Sequence, residues 1–346
     1  MVRHFFAGSV IAITTLISIS TANAAWQALP DVAPAPEDNP TTEAKVILGK
    51  MLFMDPRFSS TGTVSCNSCH NVMEGGDDSR TLSMGVHGKI GGRNAPTVWN
   101  SAFHSVQFWD GRADLLEDQA KGPVTNPVEM GVTEIEQAMD KVRAIPGYKS
   151  YFDEAFGDDS MTVDNAAKAV AAFERTLITP NSAYDKYVKG DKKAMTVQQI
   201  RGMETFASTG CVSCHSGAAF NGPEMDFGQG FYAKFPTFTD KSYDEKYKLS
   251  ADKGREEATG KPADAHMFRV ATLRNITDTA PYFHNGSVND LSEAVRLMAK
   301  TQLNKDLPEA AVEDIVAFLG ALTGEYPEIV MPRLPATSGY SLVADK

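Results

Sequence analysis

The chain has 346 residues, 42% of them hydrophobic, and 44 acidic side chains against 33 basic ones set its formal net charge at −11. That length suggests two domains, and that composition a packed core, which excludes wholesale disorder and a multi-spanning membrane protein. The acidic balance argues against a nucleic-acid partner.

The first residues are expected to be removed. Arg3 and His4 precede an apolar run from Phe5 to Ile19, which closes on Ala22-Asn23-Ala24. A basic start, a short apolar run and small residues make a secretory signal peptide, residues 1–24, cut after Ala24. The run is short for a membrane span and no later segment is apolar enough to make one. The mature chain is therefore expected in the periplasm, without a membrane span, and the loss of Arg3 moves its charge from −11 to −12.

Ala44, Ile47, Leu48, Met51 and Leu52 sit at helical spacing behind Thr41 or Thr42 as N-cap, which predicts a first helix. Cys66-Asn67-Ser68-Cys69-His70 follows, then a glycine-rich stretch around His87, then a short predicted helix from Leu115 to Ala120. Ala166, Ala169, Val170, Phe173 and Leu177 make another apolar stripe that stops at Thr179-Pro180-Asn181-Ser182. This is the expected linker between a domain of residues 25–182 and a domain of residues 183–346. Thr196-Val197-Gln198-Gln199 is a capping box that opens the next helix, ahead of Cys211-Val212-Ser213-Cys214-His215. Leu291, Ala294, Val295 and Met298 predict a helix, and so do Val312, Ile315, Leu319 and Leu322. Clear strand alternation is absent, so the fold is expected to be mainly α with long loops between helices.

The two Cys-x-x-Cys-His motifs use all four cysteines. Disulfides or a four-cysteine zinc site would account for the cysteines, but neither needs a histidine directly after each pair. Covalent haem c does, since two thiols bond the porphyrin and the adjacent imidazole reaches its iron. Two haem c groups are therefore expected, bound through Cys66, Cys69 and His70, and through Cys211, Cys214 and His215.

Other landmarks repeat with the motifs. Gly49-Lys50-Met51-Leu52-Phe53 precedes the first as Gly202-Met203-Glu204-Thr205-Phe206 precedes the second, and Ala172-Phe173 mirrors Ala317-Phe318. Thr97-Val98-Trp99-Asn100 matches Thr272-Leu273-Arg274-Asn275, and Phe108-Trp109-Asp110-Gly111 matches Phe283-His284-Asn285-Gly286. Two related cytochrome c-like domains, one haem in each, explain this repetition.

The haem motifs, Arg93-Asn94-Ala95-Pro96-Thr97, Phe108-Trp109-Asp110-Gly111-Arg112, Asn126-Pro127-Val128-Glu129-Met130-Gly131, Thr279-Ala280-Pro281-Tyr282-Phe283-His284 and Leu297-Met298-Ala299 together resemble the bacterial dihaem cytochrome c peroxidases. The resemblance runs from about Gly49 to Leu322. It implies a peroxidatic haem on His70, capped in the resting state by the loop histidine His87, with His104 the rival ligand. It implies a high-potential haem on His215 and Met298 that receives electrons. It makes Glu129 the catalytic acid/base, Gln119 a partner orienting peroxide, and Trp109 the bridge between haems. It further implies calcium held by oxygens of Asn94, Thr279 and Pro281, and a homodimer. The implied reaction is reduction of hydrogen peroxide to water by a small cytochrome c or copper protein. Related dihaem enzymes that oxidise tryptophans of a partner protein in quinone cofactor biogenesis have a tyrosine where this chain has Met298. A non-catalytic dihaem electron carrier would have no need of Glu129 and Gln119.

Overall fold

The Thr42 hydroxyl accepts the N–H of Lys45, and the chain turns into α1 (Glu43–Met54) where the apolar spacing requires it. The computed structural model describes residues 26–337 with 339 and 342, so the expected leader lies outside the described residues. After α1 come α2 (Leu116–Thr125), α3 (Ile135–Arg143), α4 (Tyr148–Phe156) and α5 (Val163–Glu174). Next are α6 (Ala183–Val188), α7 (Val197–Thr209), α8 (Lys241–Tyr247), α9 (Glu256–Thr259), α10 (Leu291–Leu303) and α11 (Glu309–Gly320). The capping box at Thr196 forms as expected: its hydroxyl accepts the Gln199 N–H while the Gln199 side chain accepts the Thr196 N–H.

The repeat is carried by two helix crossings. Helix α1 packs on α5, and α7 packs on α11. Each crossing is so close that only glycine fits: a Cβ on Gly49 would run into the Ala169 carbonyl oxygen, and one on Gly202 into that of Asp314. Further on, Phe108 and Phe283 both hold positive φ, 67° and 71°. Antiparallel bridges close around them, Gln107 with Ala113 and Tyr282 with Val288. Phe108 and Phe283, Gln107 and Tyr282, and Ala113 and Val288 are each 175 residues apart, as are Thr97 and Thr272.

Leu48, Phe53, Ile145, Phe152 and Phe173 belong to one buried cluster built on α1, α3, α4 and α5. Tyr184, Phe206, Phe220 and Phe318 belong to a second, and Phe235, Tyr247, Phe268 and Leu297 to a third beside it. The expected long loops are partly ordered. Helices α3 and α4 lie in the stretch after Gly122 because Ala138, Met139, Val142, Tyr148 and Phe152 turn into the first core. A two-stranded antiparallel sheet, β1 (Tyr232–Lys234) and β2 (Met267–Arg269), lies in the second half. Three residues are too few to show alternation, which is why the sequence reading found no strand. No helix among the described residues is long and apolar enough to cross a membrane.

Candidate active site

Both haem motifs fold as a short 3-10 turn, Cys66–Ser68 and Cys211–Ser213, in which the following histidine donates its N–H to the first cysteine's carbonyl at 2.9 Å. The four thiols are free and half-buried. His70 Nδ1 lies 3.0 Å from the Pro96 carbonyl oxygen, and His215 Nδ1 lies 3.0 Å from that of Phe220. A carbonyl only accepts, so Nδ1 carries the hydrogen in both rings and Nε2 keeps its lone pair for a metal. Burial holds both imidazoles below the usual histidine range, in their neutral, ligating form.

Each imidazole opens on its own cavity. The one at His70 has a volume of about 500 Å³ and is lined by Cys66, Cys69, Gln119, Glu129 and Trp109. The one at His215, about 240 Å³, is lined by Cys211, Cys214, Met298 and apolar residues such as Phe206 and Leu319. Two thiols, a neutral imidazole and a hollow beside them are what a covalent haem needs, and the residues fit it in both places.

The cavities are unequal. Helix α10 brings Met298, whose thioether is a soft donor, to the wall of the His215 cavity. The His70 cavity receives polar groups instead. Gln119 comes from α2, and Glu129 from the turn after it. Asn126 Nδ2 donates to Glu129 Oε1 at 2.7 Å. Burial pushes the Glu129 carboxyl above its ordinary range, against the pull of the Arg112 charge and of this hydrogen bond. Such a carboxyl keeps its proton to higher pH than an ordinary glutamate, which suits a group that takes and returns protons.

Trp109 lines both cavities, donates Nε1–H to the Asn94 carbonyl at 2.9 Å and meets His284 edge-on at 6.4 Å. His104 also lines both, but its Nδ1 lies 2.8 Å from Asn221 Nδ2 and from Arg269 Nη1, so two N–H donors occupy it. His87 is not brought to the His70 cavity: it sits exposed on a turn with φ 58°. Val86 explains this. It is buried and donates its N–H to the Glu129 carbonyl at 2.9 Å, which pins the loop and turns the next side chain outward.

Asn94, Thr279 and Pro281 meet on one cavity wall. Asn94 Nδ2 donates to the Arg80 carbonyl, which leaves Oδ1 as its acceptor. The carbonyls of Thr279 and Pro281 accept no hydrogen bond from the described residues. No cluster of three or more His, Cys, Asp or Glu suited to a metal lies among the described residues, so a cation here would rest on neutral oxygens, a donor set compatible with calcium. The sequence reading missed Asn126 and Arg269. Asn126 was legible as a residue three before Glu129 in an Asn-Pro turn, and Arg269 as the 175-residue repeat mate of Asn94.

The di-haem cytochrome c peroxidase family matches residues 43–193 of the chain. Cytochrome c551 peroxidase of Nitrosomonas europaea is 45% identical over 291 residues, 84% of this chain and 83% of that one. Cytochrome c551 peroxidase of Pseudomonas aeruginosa is 42% identical over 321 residues, 92% and 89% of the two chains. Among solved structures, a MauG-like protein associated with microbial copper homeostasis superposes with a TM-score of 0.75 at 28% identity, covering 86% of this chain and 95% of that one.

Proposed function

This chain belongs to the di-haem cytochrome c peroxidase family and is a peroxidase, and from that premise we propose a division of labour between its two cavities. Hydrogen peroxide, two protons and two electrons give two waters, with one electron drawn from each of two reduced donor molecules. The donor is a small cytochrome c or a copper protein of the periplasm. Cys66 and Cys69 would attach one haem c, ligated by His70; Cys211 and Cys214 would attach the other, ligated by His215 and Met298. When bound, the haems supply the irons at which electrons are stored and peroxide is reduced.

The observation that carries this reading is the asymmetry of the cavities: Gln119 and Glu129 face His70, while Met298 faces His215. Met298 would supply a second donor to the haem held at His215, which favours electron transfer over substrate binding. Glu129 takes the proton from the near oxygen of peroxide and returns it to the far one, so that water leaves rather than hydroxide. Gln119 is neutral, and its amide orients peroxide without competing for that proton. Trp109, shared by both walls, is the packing bridge along which electrons pass. Asn94 Oδ1 and the Thr279 and Pro281 carbonyls would hold calcium at the junction of residues 25–182 and 183–346, and the enzyme would work as a homodimer.

The test is peroxide-dependent oxidation of a reduced small cytochrome c by the holoprotein, tried both oxidised and half-reduced. Turnover is expected, and Glu129→Ala should abolish it while both haems stay attached. Absence of turnover in either redox state would contradict the reading, and full activity in the variant would remove Glu129 from its role.

A further inference from the structure

Arg269 is buried, 6% exposed, yet it has no carboxylate partner among the described residues. Two other buried arginines have such a partner. Arg274 pairs with Asp185 at 2.8 Å, both side chains fully buried, and buried Arg175 pairs with Glu117 at 2.7 Å. An unpaired buried charge is costly, and natural structures meet that cost with a counter-charge. Arg269 Nε donates to the Phe108 carbonyl at 3.1 Å, and Nη1 to His104 Nδ1 at 2.8 Å. Nη2 has no acceptor among the described residues, and Arg269 lines the His70 and the His215 cavities at once. Burial pushes it down to about 10, against the distant pull of Tyr232 and Asp110, so it stays a cation at neutral pH.

The repeat tells what this cation replaces. Arg269 lies 175 residues after Asn94, and Thr279 lies 175 after His104, the offset that relates Trp109 to His284. The backbone obeys the same symmetry: Asn94 donates its N–H to the His284 carbonyl, and Arg269 donates its own to that of Trp109, both at 2.8 Å. On one side of the junction Asn94 and Thr279 present oxygens, which suit a cation. On the other, Arg269 and His104 present nitrogens. Because His104 Nδ1 accepts from both Arg269 and Asn221, its hydrogen sits on Nε2, where the ring is a donor too. Donors in place of acceptors suit an anion.

The wall the two cavities share includes Asn94, Ala95, Pro96, Thr97, His104, Trp109 and Arg269, and none of the four cysteines. A haem carries its two carboxylates on the edge opposite the one its thioethers hold. We propose that Arg269, positioned by His104, is the fixed cation that receives haem propionate carboxylates at this shared wall and raises the reduction potential of the haem it pairs with. A guanidinium suits this task because its planar fork matches a carboxylate. The inference rests on the two-haem reading but not on peroxide turnover.

The experiment is a spectroelectrochemical titration of the holoprotein carrying Arg269→Gln or Arg269→Lys, with resonance Raman spectra of each. In Arg269→Gln, reduction of at least one haem should become at least tenfold less favourable, a fall of about 59 mV for a one-electron couple. Arg269→Lys keeps the charge and should hold both potentials within threefold in equilibrium constant. It changes the hydrogen bonding, however, and should shift the propionate bending band. If Arg269→Gln does not load haem, the Raman band of Arg269→Lys decides alone. Potentials unmoved in Arg269→Gln, or a propionate band unmoved in Arg269→Lys, would overturn the proposal. A wild-type protein that binds two haems but fails to reduce peroxide would overturn the peroxidase reading and leave this test intact.

Discussion

Asn126 Nδ2 donates to Glu129 Oε1 at 2.7 Å, so one oxygen of the carboxylate is tied down beside the His70 cavity. The bond favours the ionised form, while burial favours the neutral one and wins. A base whose pKa is raised loses its function as pH falls through that value, so turnover should show an acid limb above the ordinary glutamate range. Asn126→Ala removes a hydrogen bond to the charged form and should move that limb to higher pH. Glu129→Gln should lower kcat by roughly 10²–10⁴, the contribution typical of a positioned acid or base. A pH profile of kcat in the three proteins checks both statements.

Met298 gives the second prediction. A thioether ligand favours the reduced iron, so Met298→His should lower the potential of that haem by well over 59 mV, roughly a tenfold change in equilibrium constant or more. The donor should then reduce the enzyme more slowly. Potentiometry of the holoprotein measures it.

Gly202 lies where α7 crosses α11, with no room for a Cβ against the Asp314 carbonyl. Backbone cannot swing aside as a side-chain end does, so Gly202→Ala should cost about 1–3 kcal/mol or more by overpacking. Thermal melts of the variant should fall well below wild type, while Gly320→Ala, which meets nothing nearby, should not.

Glu174, 5% exposed at the end of α5, lines the His70 cavity, and burial pushes its carboxyl up to about 8, with Glu117 adding to this and Arg175 opposing it. Its folded pKa is raised, so the native state holds a proton that the unfolded chain releases above about 4.5. The stability this contributes is full below that pH and is lost as pH rises through about 8. Glu174→Gln should flatten the decline and melt higher than wild type at pH 8, with little difference at pH 4. A series of melts against pH tests the sign.

How much of this was legible in the sequence depends on the range of the signal. Thr42, Thr196 and the apolar stripes of α1, α5, α10 and α11 act within a few residues, and there the pattern and the structure agree. Gly49 and Gly202 were visible as repeat landmarks, but their reason, a carbonyl from a helix more than 100 residues away, was not. The pinning of the His87 loop depends on a bond from Val86 to the Glu129 backbone, which no local pattern encodes. Strands β1 and β2 pair across more than 30 residues and are three residues long, so tertiary contact rather than alternation makes them.

The central claim is that one site stays open to small ligands while Met298 closes the other. Its most direct measurement is the number of cyanide ions bound per fully oxidised chain, followed spectroscopically. One cyanide in wild type and two in Met298→Ala is the predicted result. Two in wild type, or a single one bound at the His215 haem, would contradict the account.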